Sequence, residues 1–255
     1  MLTTKTRNRL APEHPFPTWI NDSWDALQWA AAHATTVLGA DPARGGFVVG
    51  GGSAGANIAA VLAHLARDAR LDPPLTGQYL CVPSLTALMP PAELPARYRP
   101  EYLSHPSVTP CADPVLVLQW DGAGTARAQF QALLRADVTS PLMAPFLYGV
   151  AEEGEEEAAA PQSSHGHGHA GLPPAYFQIC GVDPLRDEGL LYERVLREEA
   201  GVPTRLDLYP GYCHYFWTNF PLLPRSREFV EDTVRGVRWL LEQSARGGRR
   251  DVGGG

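Results

Sequence analysis

The chain has 255 residues, of which 44% are hydrophobic and 19% charged, values that are ordinary for one principal globular domain covering residues 1–255. Its formal net charge is -7, and the sequence contains no basic stripe that would neutralise phosphates, so nucleic acid is excluded as the main partner. Nowhere do 18 apolar residues run together, and the first residues lack the apolar core of a secretory leader, so we expect a soluble cytoplasmic protein with no membrane span.

Hydrophobic periodicity predicts helices that alternate with short apolar strands along most of the chain. The predicted elements, in chain order, are a helix at 21–38, a strand at 47–49, a helix at 54–70, strands at 79–82 and 175–180, a helix at 187–200, a strand at 205–209 and a helix at 225–244. Strands that alternate with helices of ten or more residues predict an α/β fold, with a mostly parallel sheet covered by helices on both faces.

Three segments fall outside this alternation. Residues 83–145 are rich in proline and show no sustained strand pattern, so we expect an insertion that forms a cap. Residues 151–170 carry five glutamates and three histidines with little apolar surface, which predicts a flexible acidic surface loop. The glycine-rich and arginine-rich residues 245–255 predict a disordered tail.

The cysteines and most histidines indicate neither a disulfide framework nor a metal site. Buried free thiols are favoured because no two cysteines form a C-x-x-C pair; they are Cys81, Cys111, Cys180 and Cys213. His33 and His64 fall on predicted helices, and His165, His167 and His169 fall in the acidic loop, where a flexible HGHGH run lacks a fixed geometry for a metal ion. We expect no metal and no cofactor.

The turn that follows the first predicted strand is Gly51-Gly52-Ser53-Ala54-Gly55, which fits the pattern G-x-S-x-G. A strand that enters and a helix that leaves are the context of a nucleophile elbow, in which small residues permit a sharp turn that exposes the serine hydroxyl. The helix N-terminus also favours developing negative charge. The alternative is that Ser53 only caps the helix that follows it.

The same glycines, from Gly50 to Gly55, also match the dinucleotide fingerprint G-x-G-x-x-G. That function needs an acidic residue at the end of the next strand, where it would hold the ribose. The available acids are Asp68 and Asp72, which fall at the end of a helix and in the loop beyond it. The sequence therefore disfavours a dinucleotide site.

A nucleophilic serine needs a general base, and the base needs a carboxylate that orients it. In α/β hydrolases the two follow the serine in the order acid, then histidine, each after a strand. Asp183 comes directly after the predicted strand 175–180, and His214 comes after the strand that ends at 209. Asp187 and Glu188 are weaker candidates, since we expect them to be first-turn residues of a helix that interact favourably with its dipole.

Several collinear segments of the chain resemble the hormone-sensitive-lipase-like branch of the α/β-hydrolase fold. They are RLAPEHPFP at 9–17, GGGSAGAN at 50–57, SPLMAP at 140–145, GVDPLRDEG at 181–189 and YPGYCHYF at 209–216. The resemblance implies an esterase that acts on small-molecule carboxylic esters through an acyl-enzyme. It implies a catalytic triad with Ser53 as nucleophile, Asp183 as orienting acid and His214 as general base, and Ala54 as an oxyanion-hole donor.

The chain departs from that branch at two places. Gly52 stands where the branch often has aspartate, which removes a supporting polar group. An H-G-G-G motif that builds most of the oxyanion hole is expected upstream of RLAPEHPFP, but only eight residues precede Arg9 and no His-Gly-Gly occurs in the chain. We therefore expect an N-terminally incomplete copy with poor ester hydrolysis and an exposed sheet edge that favours self-association. The alternative is a non-catalytic, ligand-binding relative.

Overall fold

The computed structural model describes residues 3–87, 89–105, 108–109, 132–149 and 168–247. The helices and strands, in chain order, are α1 (Thr18–His33), α2 (Pro42–Gly45), β1 (Val48–Gly52), α3 (Ala54–Asp68), β2 (Gly77–Cys81), β3 (Ala175–Cys180), α4 (Arg186–Arg194), β4 (Thr204–Tyr209), α5 (Phe216–Asn219) and α6 (Pro224–Gly247). A π-helical turn, Val195–Glu199, continues α4.

The four strands form one sheet in the order β1-β2-β3-β4, and every neighbouring pair is parallel. All six residues of β3 are buried, as expected of a central strand covered on both faces. Among the described residues, β1 pairs with a strand on one side only, so it forms an edge of the sheet. The predicted α/β class with a mostly parallel sheet is confirmed.

The two faces of the sheet are covered by different helices. Leu80 and Phe177 belong to the apolar cluster that includes the alanines of α3. On the opposite face, the Tyr79 and Tyr176 rings stack at 5.4 Å. Gly236 of α6 lies directly on the Tyr176 ring, where a Cβ would come within 2.0 Å of a ring carbon, so glycine is required for this close approach of helix to sheet.

Helix ends were the least accurate part of the sequence prediction. The first helix begins and ends earlier than the predicted 21–38. Its early C-terminal end is explained by the residues after His33, because they include β-branched Thr35, Thr36 and Val37, which favour helix poorly. The last helix continues to Gly247, so the predicted disordered tail at 245–255 was placed too early. The rest of that tail, 248–255, lies outside the described residues.

The described parts of the 83–145 insertion contribute to the core of the domain. Leu85, Tyr98 and Tyr102 are each at most 2% exposed, and they belong to the same apolar cluster as Phe177 of β3. Fully burying side chains of this size stabilises the fold by roughly 1.5–3 kcal/mol each. A role for the insertion as a cap stays a prediction, since residues 106–107 and 110–131 lie outside the described residues.

The predicted flexible loop at 151–170 extends too far, because the chain is already buried at its C-terminal end. His169 is 9% exposed, and its Nδ1 lies 3.1 Å from Nε2 of the fully buried His64. The Arg67 guanidinium donates to the carbonyls of Gly168 and Ala170. The average composition of residues 151–170 gave no sign of these contacts at the C-terminal end of the segment. Residues 151–167 lie outside the described residues.

The cysteine prediction is confirmed where the structure describes it, since Cys81, Cys180 and Cys213 are buried and are not joined in disulfides. Cys111 lies outside the described residues. Within the described part of the chain, no helix combines the length and the apolar character needed to cross a bilayer.

Acid should destabilise the fold through His169. Burial lowers the pKa of His169 to about 4, whereas an exposed histidine titrates near 6.5. The unfolded chain therefore takes up the proton first, so this stabilisation is full above pH ~6.5 and is lost as the pH falls toward 4. We expect the free energy of unfolding to drop by about 2 kcal/mol between pH 7.5 and pH 5 through this group.

Urea denaturation at the two pH values measures that drop. His169→Asn is the matched control, since an amide in place of the imidazole can still form a hydrogen bond to His64 and does not titrate. The variant should lose less stability than the original chain over the same interval. An equal loss in both proteins would assign the acid sensitivity to other groups.

Candidate active site

Ser53 occupies the single residue between β1 and α3. Its backbone adopts φ 54 and ψ -117, a region that side-chain-bearing residues rarely visit. Its amide N–H donates to the carbonyl of Cys81 at 2.8 Å, which joins the turn to the end of β2. The hydroxyl makes no capping hydrogen bond to α3, so Ser53 is not a side-chain cap.

The sharp turn depends on a close backbone approach between Gly51 and Gly55. A Cβ built on Gly51 would lie 2.4 Å from both the carbonyl carbon and the oxygen of Gly55, closer than any real Cβ contact. A Cβ built on Gly55 would meet nothing within 4 Å. Glycine at 51 is therefore the steric requirement of the turn.

Three strand ends bring the predicted residues together. Because neighbouring strands are parallel and in register, Gly52 is level with Cys81, and Cys180 is level with Tyr209. Loops leaving the carboxyl ends of the strands therefore meet at one edge of the sheet, where ligands of open α/β sheets bind.

Ser53, His214 and Asp183 form a continuous hydrogen-bonded chain at this edge. The Ser53 Oγ lies 3.0 Å from His214 Nε2, and His214 Nδ1 lies 2.6 Å from an Asp183 carboxylate oxygen. Asp183 and His214 are 2% and 4% exposed, so the bond between them is shielded from water, whereas the bond between His214 and Ser53 is partly buried. This arrangement can remove a proton from the serine hydroxyl and hold it on the imidazole.

The Asp183 carboxylate is held by the start of α4 and lies near a neutral thiol. Its other oxygen accepts the N–H of Leu185 at 2.8 Å, which fixes the carboxylate toward His214. Burial raises the pKa of the nearby Cys81 thiol to about 12, so this group stays uncharged at neutral pH. Cys81 therefore adds no thiolate charge beside the carboxylate.

Asp187 and Glu188 do lie in the first turn of a helix, as predicted, but both are buried and bind the insertion. Asp187 accepts the N–H groups of Leu103 and Ser104 at 2.7 and 2.6 Å. Glu188 accepts from the N–H groups of the segment that follows β2, at 2.5 and 2.9 Å. Burial raises the pKa of Glu188.

Ala54 opens α3, so its N–H is one of the first-turn amides that have no partner within the helix. It directly follows Ser53, the position from which an oxyanion would be stabilised. Among the described residues, no three His, Cys, Asp or Glu side chains are grouped so that they could hold a metal ion.

Sequence reasoning missed Asn57, which is 6% exposed and lies one turn after Ser53. Its side-chain amide donates to the carbonyls of Ser84 and Met143, at 2.7 and 2.8 Å. These bonds tie α3 to both ends of the 83–145 insertion. The motifs GGGSAGAN and SPLMAP contain two of the three partners, but neither motif shows that they touch.

Comparison with known proteins gives consistent matches. The family model for the alpha/beta hydrolase fold matches residues 6–218. A carboxylesterase NlhH from Mycobacterium tuberculosis is 35% identical over 91% of this chain and 60% of its own length. A versiconal hemiacetal acetate esterase from Dothistroma septosporum is 33% identical over 92% of this chain and 62% of its own length.

Among solved structures, a vibralactone cyclase aligns with a TM-score of 0.73 and 35% identity, over 93% of this chain and 61% of that one. The chain thus spans about 60% of the length of the relatives it matches.

The two glycines of the turn should respond in opposite ways to alanine. Gly51→Ala should destabilise the fold by about 2 kcal/mol or more, because the new Cβ forces β1 away from the backbone of α3. Gly55→Ala should be neutral or stabilising by up to about 1 kcal/mol, because alanine favours helix and the site has room. Chemical denaturation of both variants gives the values, and a tolerated Gly51→Ala would refute the steric argument.

Proposed function

The chain belongs to the α/β-hydrolase fold family, and from this premise we propose that it hydrolyses carboxylic esters with Ser53 as nucleophile, His214 as general base and Asp183 as orienting acid. The observation that carries the proposal is the hydrogen-bonded chain from the serine hydroxyl to the buried carboxylate. A serine that only capped a helix would not need an imidazole at 3.0 Å, and an imidazole that did not act as a base would not need a buried acid to orient it.

The proposed reaction has two stages. Ser53 Oγ attacks the ester carbonyl while His214 Nε2 accepts the hydroxyl proton, giving a tetrahedral oxyanion. The intermediate collapses as His214 returns that proton to the departing alkoxide, which leaves as an alcohol and gives an acyl-enzyme. His214 then takes a proton from water as the water oxygen attacks the acyl carbon, the bond from that carbon to Ser53 Oγ breaks, and His214 returns the proton to Oγ as the carboxylic acid leaves. Asp183 stabilises the imidazolium in both stages, and no metal or cofactor is required.

The oxyanion needs hydrogen-bond donors aimed at it, and Ala54 N–H is the one this proposal assigns. It lies at the N-terminus of α3, where the helix dipole also favours negative charge. Further donors in this family come from a glycine-rich loop of the H-G-G-G type, which does not occur in these 255 residues.

The second candidate function is the non-catalytic alternative of the sequence analysis, a ligand-binding relative that would keep the site without turnover. The two candidates differ in whether Ser53 is activated, since a non-catalytic protein has no need of a nucleophilic hydroxyl. For the enzyme we propose small to medium acyl esters as substrates. Self-association through the β1 edge, and a cytoplasmic location, stay predictions.

A fluorophosphonate probe should label Ser53 on the purified chain, because labelling requires an activated serine rather than full turnover. Ser53→Ala should abolish labelling. Asp183→Asn should slow it by at least about a hundredfold, because the amide cannot stabilise the imidazolium and favours the wrong tautomer. Intact-mass spectrometry over time gives the rates.

Asp187→Asn is the matched control for the acid, since it removes the same charge from a carboxylate that binds the insertion instead of His214. It should lower stability while its labelling rate stays within about fivefold. If Asp187→Asn slowed labelling as much as Asp183→Asn, the assignment of the acid would fail. Labelling that survives Ser53→Ala would point to another nucleophile.

Adding a glycine-rich loop of the H-G-G-G type before residues 1–255 should accelerate ester hydrolysis. Each missing oxyanion donor costs about a hundredfold to a thousandfold in rate, or roughly 3–4 kcal/mol. Residues 1–255 should therefore hydrolyse a short-chain nitrophenyl ester at least about a hundredfold more slowly than the same chain preceded by an H-G-G-G segment from a relative. Comparable rates would show that another part of this chain supplies the donors.

A further inference from the structure

The hydroxyl of Tyr215 occupies the space in which a side chain at position 52 would lie. A Cβ built on Gly52 would be 2.2 Å from Tyr215 Oη and 3.1 Å from Cζ. The space at position 52 is therefore limited not by the turn at Ser53 but by Tyr215, a residue 163 positions later in the chain. A substituent at 52 therefore requires either that the Tyr215 phenol shift or that residue 215 be smaller.

The backbone of Tyr215 is held in an uncommon conformation. Its φ of 56 and ψ of 29 lie in the left-handed region, which a tyrosine seldom adopts. Its carbonyl accepts from the backbone N–H groups of Thr218 and Asn219 and from both of their side chains. These four donors hold the backbone of Tyr215 in this conformation.

The Tyr215 ring also packs on the imidazole that bonds to Ser53. The centroids of the His214 and Tyr215 rings are 4.9 Å apart with the planes at 78°, and Trp217 lies at 4.8 Å from the Tyr215 ring on another side. The Tyr215 side chain therefore lies against both sides of the Ser53–His214 bond. Its hydroxyl faces Gly52, the neighbour of Ser53, and its ring packs on the His214 imidazole.

We propose that Tyr215 is a positioning residue that braces His214 against the Ser53 turn, and that it forms a steric pair with Gly52. The proposal rests on the proposed function, because the brace matters to catalysis only if His214 serves Ser53. Tyr215 acts through packing and not as an acid or base. Burial raises the pKa of its phenol to about 12, which keeps it neutral at physiological pH.

The test combines a kinetic readout with a spectroscopic one on the full chain. The first is the fluorophosphonate labelling rate of Ser53. The second is the low-field ¹H NMR resonance of the His214 Nδ1 proton shared with Asp183, which needs no turnover. Tyr215→Gly relieves the left-handed backbone but removes the brace, so labelling should slow by at least about tenfold and the resonance should broaden.

Two further variants separate positioning from general structural damage. Tyr215→Phe retains the ring, so its labelling rate should remain within about threefold and its resonance should stay sharp. Trp29→Ala removes a large, half-exposed ring from α1, outside the site, and should change neither readout. If Tyr215→Gly behaved like Trp29→Ala, the positioning role would be refuted.

The steric pair predicts non-additive effects. Gly52→Ala alone should slow labelling by at least about tenfold, because its Cβ collides with the phenol and displaces the turn. In the Tyr215→Gly background the same substitution should slow labelling by less than about twofold, since the obstacle is gone. An equal effect in both backgrounds would show that the two positions are not coupled.

Failure of this proposal is distinguishable from failure of the proposed function. If the unmodified chain is not labelled but its His214 resonance responds to the variants as expected, the positioning stands and the esterase proposal fails. If the unmodified chain is labelled but Tyr215→Gly changes neither the His214 resonance nor the labelling rate of Ser53, the esterase proposal stands and the positioning role of Tyr215 is refuted.

Discussion

The backbone conformation of Ser53 is the constraint on which the site depends. If the chain continued from β1 into α3 without a reversal at this residue, the hydroxyl could not reach His214. A sparsely populated backbone conformation with positive φ at a non-glycine residue costs on the order of 1–3 kcal/mol, so the surroundings must enforce it. The bond from Ser53 N–H to the Cys81 carbonyl and the contact of Gly51 with Gly55 do so.

The same kind of strain recurs along this edge of the sheet. Val82, which follows β2, has a φ of 41, and Tyr215 has a φ of 56, although neither is glycine and valine is β-branched. Val82 is buried and its N–H donates to the Gln178 carbonyl at 2.8 Å. Strained residues persist only where neighbouring contacts over-determine them. Their clustering around Ser53 therefore indicates a rigid site, in which small displacements are resisted from several directions.

The sequence predicted those features that local chemistry encodes. Strand β3 was predicted with its observed ends, and Ser53, Asp183 and His214 were each recognisable because each follows a strand. It could not predict contacts between distant segments. Glu188 binds backbone N–H groups more than 100 positions away, which leave no pattern in the side-chain sequence. Likewise, the opposition of Gly52 and Tyr215 appears only when two loops are brought together.

The two carboxylates in the first turn of α4, Asp187 and Glu188, bind the insertion next to the site but do not contact His214 in the way that Asp183 does. Asp187 and Glu188 bind backbone amides of the insertion near both 85 and 103, and the helix that carries them begins three residues after Asp183. Backbone N–H groups are present whatever side chains the insertion carries, so these anchors constrain its path and leave its side chains free to vary. Asp183 and the two carboxylates that bind the insertion thus lie within residues 183–188, around the start of α4. Changes in the insertion beyond these anchors can then reshape its surface without displacing the carboxylate that faces His214.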